Sequence, residues 1–355
     1  MGQVVDSRPI TVSTVPTSAQ LTSWQVKYVS QDTKGRPWTT MATIIKPAAA
    51  WSGPPKLLAF LPWIDVLDTA CNPSYQLRTD YAYLASTGMI GEMVNLGAAL
   101  DRGWTVVVPD YLGPENQFAA GYVEGRSTLD GIRAALNFAP AALPADTRTA
   151  IFGYSGGSRG AEFAAELAPG YAPELNLVGT AAGGLVADMG ASAALMNGGL
   201  FAGINYQASF GLARAYPELN LPSYFLDPHF ERELATMCQA QVLATYPFTY
   251  VQDRTVDRVW PLGDPNVVAV LDTLKAGRYG TPNSPVYLWM AGEDQIAITP
   301  NTRALVSDYC TRGVPVTYVE YPGTEHVSAE TAGSGAALDW IADRLNGIPA
   351  STTCH

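Results

Sequence analysis

The chain alternates between short, almost unbroken apolar runs and longer stretches in which apolar positions recur every three or four residues. Runs of the first kind read as strands covered on both faces, and the spaced stretches read as amphipathic helices. Strands are predicted at 56–61, 104–108, 149–152, 175–181, 286–290 and 316–320, with helices at 89–102, 127–138, 158–167, 301–311 and 329–345. Two earlier strands, 24–30 and 41–45, differ: Trp24, Val26 and Tyr28 alternate with polar residues, which predicts one wet face. Residues 1–22, rich in Ser, Thr and Pro, read as an irregular arm. Between 186 and 284 the clean strand signal disappears, and helical segments at 194–215 and 230–244 take over. The pattern predicts an α/β architecture. A doubly wound, mostly parallel sheet forms from 1–185 and 285–355, interrupted by a mainly helical cap at 186–284.

Composition removes several function classes. Hydrophobic residues fill 47% of the 355 positions and charged ones 15%, enough for a large packed core. A formal charge of −11 argues against nucleic acid, whose binding depends on neutralising phosphates, and against electrostatic docking on anionic membranes. No apolar run reaches the ~18 residues of a membrane helix. Residues 1–7 lack the basic and apolar regions of a secretory leader, which leaves a cytoplasmic protein or the mature form of a secreted one. Four cysteines, Cys71, Cys238, Cys310 and Cys354, form no Cys-X-X-Cys pair, and the three histidines are scattered, so neither a metal nor a cofactor is expected. The cysteines allow three pairings if all are bridged. Cys354 lies beside the C-terminus, where a tether explains it better than an exposed thiol.

The predicted strand at 149–152 runs directly into Gly153-Tyr154-Ser155-Gly156-Gly157. A Gly-X-Ser-X-Gly segment between a strand and a helix is what a nucleophile elbow requires, because flanking glycines clear the tight turn that lifts the serine hydroxyl. With 33 glycines in the chain the pentapeptide alone is weak, and Gly156-Gly157-Ser158-Arg159-Gly160 overlaps it. Ser158 falls inside the helix, so position selects Ser155 as the nucleophile.

A serine nucleophile needs a base and an acid that orients the base. His355 is the final residue, and His229 falls in the cap segment as a surface or packing residue. His326 follows the last predicted strand, where a parallel sheet presents reactive groups. Asp294 follows the strand before it, with Glu293 as its rival, and completes the chain order Ser, Asp, His. Asp110 precedes the serine and reads as structural. The oxyanion hole is expected from the N–H of Gly156 and from the loop Pro62-Trp63-Ile64-Asp65, with Asp65 as donor.

Several segments together resemble the secretory lipases, within the α/β-hydrolase superfamily. They include Ala120-Gly121-Tyr122-Val123-Glu124-Gly125, the elbow itself, Tyr171-Ala172-Pro173-Glu174-Leu175-Asn176, Thr245-Tyr246-Pro247-Phe248 and Glu325-His326-Val327-Ser328-Ala329-Glu330. The resemblance implies a triad of Ser155, Asp294 and His326, an oxyanion donor at Asp65, and disulfides Cys71–Cys238 and Cys310–Cys354. The second would close a loop of about 45 residues, worth about 4 kcal/mol on the chain-entropy account. Two departures stand out. Trp63 occupies a position where the family usually has Tyr, and an indole N–H donates but cannot accept. Fungal members continue past the last cysteine into a flap, whereas this sequence stops one residue after Cys354, leaving open a plainer esterase beside a true lipase.

The sequence therefore predicts a secreted, monomeric serine hydrolase of carboxylic esters, acylglycerols above all, with at most transient contact with a lipid surface. An acyltransferase using the same triad is the alternative. Leu200, Phe201 and Phe210 in the cap are the expected acyl-pocket residues.

Overall fold

A computed structural model describes residues 1–48 and 53–354 of the chain. Nine strands form one sheet: β1 (Val4–Ile10), β2 (Leu21–Gln31), β3 (Pro37–Pro47), β4 (Lys56–Leu61), β5 (Thr105–Pro109), β6 (Arg148–Tyr154), β7 (Leu177–Gly183), β8 (Val286–Ala291) and β9 (Val316–Tyr321). Their order across the sheet is β1-β2-β3-β5-β4-β6-β7-β8-β9. The pairings from β1 to β5 are antiparallel, and every pairing from there to β9 is parallel. Helices α1 (Pro73–Gln76), α2 (Tyr81–Thr87), α3 (Met93–Asp101), α4 (Gly121–Asn137) and α5 (Gly156–Tyr171) precede β7. Between β7 and β8 come α6 (Met189–Met196), α7 (Gly203–Ala215), α8 (Phe230–Leu234), α9 (Gln239–Thr245) and α10 (Pro265–Thr273). Helices α11 (Thr299–Thr311) and α12 (His326–Leu345) flank β9.

The unbroken apolar runs have a simple cause. All six residues of β4 are buried, with Leu57, Ala59 and Leu61 entering one core and Leu58 and Phe60 the other. Ile151 and Phe152 of β6 divide the same way. The chain leaves β4 for β5 on one side and returns to β6 on the other, so a topological switch lies at β4 and β6. The crevice beyond their carboxyl ends is where such sheets hold ligands.

Four expectations need correction. Residues 4–10 form an edge strand, not an irregular arm; it is exposed along most of its length, so burial imposed no alternation, and Pro9 is tolerated on an edge. Helix α4 begins at Gly121, six residues before its expected start. Gly121 and Gly125 look like helix breakers, but added Cβ atoms would lie 2.4 Å from the Phe163 ring and 2.8 Å from Leu167, so close packing on α5 requires glycine there. The helix expected at 194–215 is divided by Asn197-Gly198-Gly199, with Gly198 at φ +82° and the Asn197 amide bonded to Val251 N and Gln252. The helix expected at 230–244 is divided before Cys238, which caps α9 in an extended conformation and is bridged to Cys71.

Candidate active site

Ser155 stands between β6 and α5 with φ 50° and ψ −120°, a strained conformation for a residue bearing a side chain. Backbone packing enforces it. A Cβ on Gly153 would lie 2.3 Å from the Gly157 carbonyl oxygen, and one on Gly157 would lie 1.9 Å from the Leu61 carbonyl oxygen. Ser155 N donates to Gly183 O at 2.9 Å, tying the turn to the end of β7. Ser158 lies inside α5, its hydroxyl donating back to Ser155 O at 2.5 Å.

The structure brings Ser155, His326 and Asp294 together. Ser155 Oγ is 2.8 Å from His326 Nε2, and His326 Nδ1 is 2.9 and 2.8 Å from the two Asp294 oxygens. The carboxylate sets the tautomer: Nδ1 carries a proton toward Asp294 and leaves Nε2 as the acceptor facing the serine. Asp294 Oδ1 also accepts from Ile296 N at 2.8 Å and Ala297 N at 2.7 Å, which fixes the carboxylate in its loop. His326, the expected base, sits at the first position of α12, not in a loop ahead of it. Glu325 caps that helix by accepting from Val327 N and Ser328 N, a start signal placed earlier than the apolar spacing indicated. Gly184, at φ +55°, makes room for the ring, since a Cβ there would lie 2.8 Å from His326 Cε1. Glu293 is exposed, and His229 is exposed beside Arg232. His355 lies outside the described residues.

Across from the elbow stands the Asp65 loop, which follows β4 at the same switch point. Gly156 is the first residue of α5, so its N–H has no carbonyl within the helix to bond. The Asp65 side chain is buried against it: a Cβ on Gly156 would lie 2.0 Å from Asp65 Oδ1. Oδ2 accepts from Gln239 Nε2 at 2.5 Å. Burial, then the nearby Glu124 charge, raise the Asp65 carboxyl to about 7. Gln239 opens α9, immediately after the bridged Cys238, so the Cys71–Cys238 disulfide seats α9 over this loop. Asp110 is structural, accepting from Ser74 N at 2.9 Å and Ser74 Oγ at 2.6 Å. The second disulfide joins Cys310 to Cys354.

The secretory lipase family profile matches residues 81–353. Lipase A of Arthroderma benhamiae is 35% identical over 94% of this chain and 72% of its own length. A secreted triacylglycerol lipase, LIP5, of Malassezia furfur is 31% identical over 88% of the chain and 84% of its own. The crystal structure of Candida antarctica lipase A superposes with a TM-score of 0.91 at 30% identity, covering 99% of this chain and 84% of that one. The chain belongs to the secretory lipase family. It is a carboxylic-ester hydrolase with the α/β-hydrolase fold.

This secretory lipase has a cavity of about 60 Å³ at the elbow, lined among others by Trp63, Ser155, Phe201, Gln239, Leu243 and Val327. Of the three expected pocket residues only Phe201 reaches it. Leu200 is 53% exposed, and Phe210 packs into a separate aromatic cluster with Tyr206, Phe225 and Phe230. Leu243, Ile296 and Val327 were missed because each looks like an ordinary apolar helix or loop position until α9 and α12 are brought over the elbow. Among the described residues no helix is long and apolar enough to cross a membrane.

Proposed function

We propose that this protein hydrolyses acylglycerols outside the cell through a Ser155 acyl-enzyme. Ser155 Oγ attacks the ester carbonyl carbon while His326 Nε2 takes its proton. The tetrahedral oxyanion is held by the N–H groups of Gly156 and Asp65, and Asp294 stabilises the imidazolium. Collapse expels the alcohol, which receives the proton from His326. Water, deprotonated by the same base, then attacks the acyl-enzyme and releases the carboxylic acid.

The observation that carries this reading is the unbroken hydrogen-bond chain from Ser155 through His326 to Asp294. The name of the Malassezia furfur relative supports triacylglycerol as substrate and secretion as destination. Segment 186–284 serves as the cap over the site. Transient contact of the monomer with a lipid surface is supported by exposed Leu200, Phe248 and Val327, the first adjacent to cavity-lining Phe201. The test is Ser155→Ala on p-nitrophenyl esters and emulsified triacylglycerol. Activity should fall by about 10⁴-fold or more, and activity near wild type would refute the reading. Product analysis with added alcohol separates hydrolysis from acyl transfer, since a transferase yields mostly ester.

A further inference from the structure

Two carboxyl groups beside the cavity have no part in the reaction just described. Glu92 is fully buried at the end of the 89–92 turn, and Glu330 is 8% exposed, one helical turn beyond His326 on α12. The two groups are within hydrogen-bonding reach of each other. Two ionised carboxylates cannot share such a contact in a buried site, so one proton lies between them. That proton accounts for Glu92 Oε2, a buried oxygen with no N–H or O–H partner among the described residues. Burial, then the Glu330 charge, hold the Glu92 carboxyl well above the usual range, and burial raises Glu330 as well.

Trp63 connects this pair to the Asp65 loop. Its backbone N–H donates to Glu92 Oε1 at 3.2 Å, and its side chain lies against Glu330. The ring lies over Gly88, where an added Cβ would sit 3.0 Å from it. Asn95 Nδ2 donates to Glu330 Oε1 at 3.2 Å and steadies the far side.

We propose that Glu330, through its contacts with Trp63, Glu92 and Asn95, is a positioning residue that holds the Asp65 loop in register with the first turn of α12. The inference rests on the roles given above to Ser155, His326 and Asp65. His326 and Asp65 stand on separate elements, one on α12 and one after β4, and the pair joins those elements by side chains two and four residues from them. Removing the shared proton places two negative charges together and parts the joint. The groups facing it are His326 on α12, Tyr154 on β6 and Tyr111 after β5; of these only His326 can carry positive charge.

The experiment compares Glu330→Ala, Glu330→Gln, Trp63→Phe and the double variant Glu330→Ala/Trp63→Phe. The readouts are kcat, KM, the pH profile and Tm on a soluble p-nitrophenyl ester. An amide keeps the contact with Trp63 and donates to Glu92, so Glu330→Gln should keep kcat within about threefold and extend activity to higher pH. Glu330→Ala should lower kcat by about 10- to 100-fold, with KM within about twofold and Ser155 still labelled by a fluorophosphonate. Because the two residues act through one contact, the double variant should be no slower than the slower single one. Wild-type kcat and pH profile in folded Glu330→Ala, or additive losses in the double variant, would overturn the inference. If Ser155→Ala is inactive while Glu330→Ala matches wild type, only this inference fails; if Ser155→Ala is active, the catalytic reading itself fails.

Discussion

The wall of the cavity that carries Ser155 is held by backbone packed on backbone, whereas the wall that carries Asp65 is held by side chains that bear protons. On the first wall, Gly153 and Gly157 let strand, turn and helix approach until no methyl group fits. On the second, Asp65 leans on Gln239, and Trp63 leans on Glu92 and Glu330. Backbone contacts of this kind do not change with pH. Buried carboxyl groups do, because losing a proton leaves a charge that the protein interior solvates poorly. Ser155 should therefore be insensitive to conditions that move the Asp65 loop.

Gly157→Ala attacks the backbone wall and should have the largest effect. The added Cβ has only the Leu61 carbonyl to displace, so the turn must open, costing about 10²-fold or more in kcat/KM; fluorophosphonate labelling of Ser155 should slow with it. Gln239→Ala attacks the opposite wall and should do less. It leaves a buried Asp65 oxygen without its donor, which costs about 1–3 kcal/mol in denaturant unfolding, while fluorophosphonate labelling stays fast. Equal slowing of labelling in the two variants would erase the distinction between the walls.

The smallest effect on activity is expected from Glu162→Gln. Glu162 and Glu166 form a second buried carboxyl pair on α5, bonded to Tyr309 of α11 and outside the cavity lining. Burial and the Glu166 charge hold Glu162 well above the usual carboxylate range. A raised carboxyl favours the folded state most at pH below its unfolded value of about 4.3, and that advantage is lost as pH rises through the folded value. An amide does not ionise, so the variant should gain a few degrees in Tm over wild type at pH 8 and show little gain at pH 4. The pH profile of kcat should not move. If it does, pH sensitivity is not confined to the Asp65 wall.

Much of this was legible in the sequence by itself. Strand burial wrote unbroken apolar runs into β4, β5, β6 and β8, and the parallel order follows from their alternation with helices. That Ser155, Asp294 and His326 meet was readable from position, because a parallel sheet gathers the carboxyl ends of its strands at one edge. Side chains that act by meeting a distant partner left no local trace. Phe201 and Phe210 are both aromatic residues of the segment between β7 and β8, yet one lines the cavity and the other fills a cluster. Gly121 and Gly125 weaken a helix in isolation and enable it against Phe163. Glu92 and Glu330 look like two charged helix residues until α12 is laid beside Trp63, where neither can keep a full charge. Local pattern determines which elements form and where the reactive groups emerge. Only tertiary packing decides which buried groups must share a proton, because that depends on a distance between segments that the chain order does not contain.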